Sequence, residues 1–87
     1  MLILIYSQSD SVHTYAEQTI HNHSVLHAFD QDEVKTLLGM GTTRVDLFLT
    51  DEALDLSEHK RPPGIIEYCT TESIMRRAIL RLSEKAN

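Results

Sequence analysis

A second cysteine is missing from this chain, and with it any intramolecular disulfide: Cys69 stands alone among 87 residues. That pattern fits a reducing, cytoplasmic setting, with the thiol buried in an apolar strand. Long hydrophobic runs are missing too. The opening MLILIY is far too short to span a bilayer and lacks the charged start of a secretory signal, so it reads as a first strand. Positive charge is scarce: eight Lys and Arg against thirteen Asp and Glu leave a net charge of −5, which gives nucleic-acid binding no general support. Neither a P-loop nor a strained nucleophile elbow occurs, since Gly39 and Gly41 follow a helix pattern instead of opening one. Internal repeats and low-complexity tracts are absent as well.

What is present is one domain over residues 1–87. A hydrophobic fraction of 41% supplies a core, but a small one. A chain of this length buries only about two-thirds of its unfolded surface, so association is an inexpensive source of further stability.

The apolar pattern predicts alternating strands and helices. Leu2–Tyr6 is a near-continuous hydrophobic strand of the kind buried on both faces. After the loop Ser7–Asp10, residues 11–20 have Val12, Tyr15, Ala16 and Thr19 at helical spacing, with His13, Glu17 and Gln18 left for solvent. A second strand, Val25–Phe29, runs into Asp30, which with Glu33 forms a helix-start pair. Val34, Leu37 and Leu38 then form a buried stripe that ends at Gly39 and Gly41.

Arg44–Thr50 is the third strand and ends on Asp51; a weak helical pattern spans Glu52–Glu58. Lys60, Arg61, Pro62 and Pro63 form a loop, because paired prolines cannot continue a helix. Gly64–Cys69 is the fourth strand. Thr70 or Thr71 caps a final helix with Ile74, Ala78, Ile79 and Leu82 inward and Arg76, Arg77, Arg81 and Lys85 elsewhere. The expected fold is therefore α/β: a four-stranded, mainly parallel sheet with helices on both faces and every strand's carboxyl end at one edge.

That edge is the usual ligand site of an open α/β sheet. Asp51 is its most chemically suggestive residue. Asp10 and Asp30 are the nearest carboxylates to assist it in holding Mg²⁺, while Ser7 and Gln8 follow the first strand. His21, His23 and His27 with Cys69 form no compact metal motif, and Ser7, Asp10 and His13 read as loop and cap residues before they read as a nucleophilic set. No metal or catalytic residue is assigned.

The stretch Val25–Asp51 resembles the second strand, second helix and third strand of a response-regulator receiver domain. AFDQDEVKTLL is similar to the segment after the second strand, and DLFLTD to the third strand ending in the phospho-accepting aspartate. With LILIYSQSD the resemblance covers about sixty residues. It implies a truncated receiver or flavodoxin-like sheet with Asp51 as a phosphoacceptor that uses Mg²⁺. The acidic pair after the first strand is replaced by Ser7 and Gln8, and no fifth strand with its lysine follows. A second alignment makes Gly64–Lys85 the terminal strand and helix, which brings Glu67 or Tyr68 near the lysine position. Either way the resemblance implies a shortened, degenerate member.

Charge along the chain suggests a different use. Residues 1–58 hold ten acids against Lys35 and Arg44, while residues 59–87 hold six basic residues against Glu67, Glu72 and Glu84. This asymmetry suits a non-catalytic regulatory, adaptor or inhibitory protein that recognises an acidic protein surface. The expected contact residues are Tyr68, Met75, Arg76, Arg77 and Arg81. Self-association is a further expectation, because a shortened sheet leaves apolar surface uncovered. Nucleic-acid contact through the basic final helix and phospho-acceptance at Asp51 are the alternatives.

Overall fold

The computed structural model describes residues 1–39, 44–52, 54 and 63–84. In chain order the elements are β1 (Leu2–Tyr6), α1 (Asp10–Thr19), β2 (Ser24–Ala28), α2 (Gln31–Gly39), β3 (Leu47–Thr50), β4 (Ile65–Tyr68) and α3 (Glu72–Glu84). All three strand pairings are parallel, in the order β2-β1-β3-β4. No described helix is long and apolar enough to cross a membrane.

β1 lies between β2 and β3, which explains why its sequence is apolar at nearly every position. Strand alternation divides the core into two layers. Ile3, Ile5, Leu47 and Leu49 pack with α1 and α3 through Val12, Ala16, Met75, Ala78, Ile79 and Leu82. On the opposite face, Leu4, Tyr6, Ala28 and Phe48 pack with Val34 and Leu38 of α2. Helices therefore cover both faces, as the sequence pattern predicts.

The helix starts follow their sequence signals to differing degrees. Asp30 Oδ1 accepts the Glu33 amide at 2.8 Å, satisfying one of the unpaired donors at the start of α2. Thr71, not Thr70, caps α3 through the Ile74 amide at 3.2 Å. Ser9 occupies the α1 cap position without a capping bond, because its hydroxyl is engaged elsewhere.

Three expectations are corrected. His13 is buried instead of solvated. In α3 the inward face is Met75, Ala78, Ile79 and Leu82, so Met75 belongs to the core while Ile74 is exposed. That set follows i, i+3, i+4, i+7 spacing, the geometry of a single apolar stripe. β3 is shorter than Arg44–Thr50, since the chain before Leu47 is irregular; Asp46 there accepts the Leu2 amide at 2.8 Å. The second glycine expected at the α2 terminus, Gly41, lies outside the described residues, as do Lys60–Pro62, Lys85 and most of the weak pattern Glu52–Glu58.

Candidate functional site

The parallel sheet gathers the tips of β1 and β3. Asp51 immediately follows β3, and its amide donates to the Tyr6 carbonyl at 3.3 Å. The Ser7 hydroxyl donates to Asp51 Oδ2 at 2.7 Å, while the Ser9 amide donates to Ser7 Oγ at 3.1 Å. Asp51 Oδ1 is shielded from solvent and has no hydrogen-bond partner among the described residues. Asp51 thus stands at the carboxyl edge, as expected, but its neighbour is a hydroxyl. Asp10 is exposed in the first turn of α1 and Asp30 serves as a helix cap. Among the described residues no group of three His, Cys, Asp or Glu side chains is arranged to hold a metal.

A second set of bonds crosses the same rim. Ser9 and Ser11, at the start of α1, both donate to Glu72 Oε1 in the first turn of α3, the Ser9 bond at 2.8 Å. Hydrogen bonds from Ser11 and then Ser9, assisted by Arg76, hold the Glu72 carboxyl below its ordinary pKa. The arrangement joins two helix starts through one carboxylate, where both helix dipoles favour negative charge. Most of the rim's polar groups are therefore turned toward one another.

A histidine pair that the sequence spacing does not reveal lies beneath this rim. His13 Nδ1 and His27 Nδ1 are 2.7 Å apart, and His13 Nε2 is 2.9 Å from the Ser7 carbonyl. A carbonyl only accepts, so His13 carries a proton on Nε2, and one of the two facing Nδ1 atoms donates to the other. His13 thus approaches the backbone of Ser7, not its hydroxyl, which removes the geometry of a Ser–His nucleophile. The other histidines are dispersed: His21 contacts the Gln18 carbonyl and His23 contacts Asn22.

Burial, then the neighbouring His13, lowers the His27 pKa from its ordinary 6.5, with Glu17 at 3.6 Å acting in the opposite sense. The unfolded chain consequently binds a proton more readily than the native one. This contribution to stability is complete above about pH 6.5 and is lost as pH falls through the lowered native value. Thermal midpoints measured across this range should descend toward acid, and His27→Gln should flatten that part of the curve. An unchanged slope in the variant would remove His27 from the explanation.

Cys69 is fully buried. Burial, then Glu67 and Asp51, raises its thiol pKa, with Arg81 opposing, which makes it a structural thiol instead of a nucleophile.

The residues expected to contact a partner do not form one surface. β4 is an edge strand among the described elements. Ile65 and Glu67 lie on the α3 face of the sheet, opposite Leu47 and Leu49, whereas Ile66 and Tyr68 lie on the α2 face. Tyr68 is thus separated by the sheet from the arginines of α3, and Met75 is buried beneath them.

Arg76 turns toward α1, 5.3 Å from the Tyr15 ring centre and 3.7 Å from Glu72. Arg77 and Arg81 instead line a shallow outer groove with Ile74 and Leu80. The two large apolar side chains there are 39% and 43% exposed, and sequence reading missed both as surface residues. Placing the inward stripe on Met75 would have found them.

The chain is a small α/β domain with a Rossmann-like parallel sheet, of which the receiver order is one general form. Comparison with family models, curated proteins and solved structures finds no match to this chain.

Proposed function

We propose that this protein is a non-catalytic regulatory or adaptor domain that recognises an acidic protein surface through the outer face of α3. The observation that carries this reading is the α3 groove, where Ile74 and Leu80 sit beside Arg77 and Arg81. Apolar contact there supplies burial, and the guanidinium groups select an acidic, correctly oriented partner. Arg77 has no ion-pair partner among the described residues, whereas Arg81 reaches Glu67 at 3.4 Å. Arg77 is therefore the stronger contributor.

The other two readings have less support. Asp51 has an oxygen without a partner among the described residues at the carboxyl edge, but Ser7 holds its second oxygen and no metal-holding group of described residues accompanies it. Nucleic-acid binding would draw on the same few arginines, against a net charge of −5.

The test uses a binary complex reconstituted from the intact protein and a partner captured from native extract. Replacing Arg77 and Arg81 together with Glu should weaken the complex by at least about tenfold and reduce its dependence on salt. Unchanged affinity with an intact fold would exclude the α3 face.

A further inference from the structure

We infer that the outer edge of β4, beside which no described strand lies, pairs with β4 of a second copy of this chain, antiparallel and centred on Ile66, to form one continuous eight-stranded sheet. This concerns the edge strand and shares only Arg81 with the surface proposed for recognition by α3.

The edge carries little that would prevent such pairing. Soluble proteins usually guard edge strands with Lys, Pro or a bulge, yet Ile65–Tyr68 has only Glu67 as a charge. Ile65, Ile66 and Tyr68 are 62%, 52% and 53% exposed. At the other edge, Val25, Leu26 and His27 of β2 are each partly covered. β4 is thus the edge with apolar surface left to bury.

Backbone bonding narrows the alignments. The amides of Gly64 and Ile65 donate to the Val45 and Asp46 carbonyls just before β3, and the Cys69 amide donates to the Thr50 carbonyl at its end. By strand alternation, the amides and carbonyls of Ile66 and Tyr68 point away from β3, toward the side on which no described strand lies. A two-fold axis normal to the sheet keeps each face with itself, so paired residues must share a face. Centring on Glu67 would set two carboxylates directly opposite, which is destabilising. Centring on Tyr68 would spend most of the short strand beyond its partner's end.

Centring on Ile66 satisfies both demands. Ile66 meets its own copy in a hydrogen-bonded pair, and Tyr68 passes alongside Gly64 of the second copy, which lies just outside β4 and keeps its amide on the Val45 carbonyl. On the α3 face, Ile65 faces Glu67 of the second copy. Arg81 lies with Ile65 and Glu67 in one groove, so each Arg81 stands between its own Glu67 and the incoming one. Two arginines and two glutamates alternate across the axis, the self-complementary pattern that an isologous contact requires.

Sedimentation of the intact protein should give twice the 9.9 kDa chain mass, and Ile66→Lys should return it to the monomer with unchanged circular dichroism. Register is read by cysteine substitution under mild oxidation. Paired Ile66 positions lie about 5.5 Å apart between Cα atoms, within disulfide range, so Ile66→Cys should become a covalent dimer while Glu67→Cys alone should not. Mixing Ile65→Cys with Glu67→Cys should give the mixed dimer. A monomer across the accessible concentration range would overturn the inference. So would cross-linking of Glu67→Cys to itself, or open-ended polymers, which would indicate β4 meeting β2. Ile66→Lys leaves Ile74, Arg77 and Leu80 intact, and Arg77→Glu alone leaves both β4 and the shared Arg81 intact, so pairing through β4 and recognition through α3 are read separately.

Discussion

Phe48→Ala should cost about 3–5 kcal/mol of folding stability, the range for removing a large aromatic side chain from a closed core. Phe48 is fully buried on β3, between β1 and β4, and packs with Leu4, Tyr6, Ala28, Val34, Leu38 and Val45. The nearly parallel Tyr6 ring, 6.5 Å away between centres, would lose its neighbour. α2 is the only described helix on that face of the sheet, which limits how far the layer can collapse into the cavity. Domains of this size lose roughly 4–8 °C per kcal/mol, so the thermal midpoint should drop by more than about 10 °C. Denaturant titration checks the free energy directly; a change within about 1 kcal/mol would contradict the two-layer core. Phe48→Leu, which leaves a smaller cavity, should lose less.

Met75→Ala should destabilise the fold by about 2–5 kcal/mol, while Arg77→Ala, two positions along the same helix, should change stability by no more than about 0.5 kcal/mol. Met75 is completely buried against the strands that α1 and α3 share, whereas Arg77 lies on the outer groove. The pair separates a packing role from a recognition role in one segment. Equal stability losses in chemical denaturation would mean that α3 is rotated from the orientation described. A small loss for Met75→Ala alone would place that side chain outside the core.

The fold was readable because its signals are redundant. β1 is apolar throughout, Asp30 and Glu33 mark the start of α2, and a parallel sheet with helices on both faces follows from the alternation of patterns. The recognition surface was less readable, for two reasons. In α3, Ile74 and Met75 are adjacent and both apolar, so a small rotation exchanges inward and outward roles, and only the 75-78-79-82 spacing resolves them. In β4, the sequence IIEY resembles a buried strand, but its place at the sheet edge leaves three of its four side chains exposed. Edge position is a property of topology, not of local composition.

The histidine pair was hidden for another reason. His13 and His27 are fourteen residues apart, and their contact exists only because α1 lies across β2. His13 also falls on the rim of the helical stripe, where polarity suggests solvent. Its burial requires both the Ser7 carbonyl and the second imidazole, neither of which spacing can supply. Ser7 and Asp51 present the same case across forty-four positions, joined by the side-by-side strands β1 and β3.

The placement of β1 between β2 and β3 also orders how the protein is made. Residues 2–6 leave the ribosome before either strand that flanks them, and one of those strands, residues 47–50, follows only about forty residues later. The greasiest segment must therefore wait, half-enclosed by β2, until a distant stretch arrives. Nascent protein is most vulnerable to clumping in that interval, and its yield depends on how quickly the third strand follows.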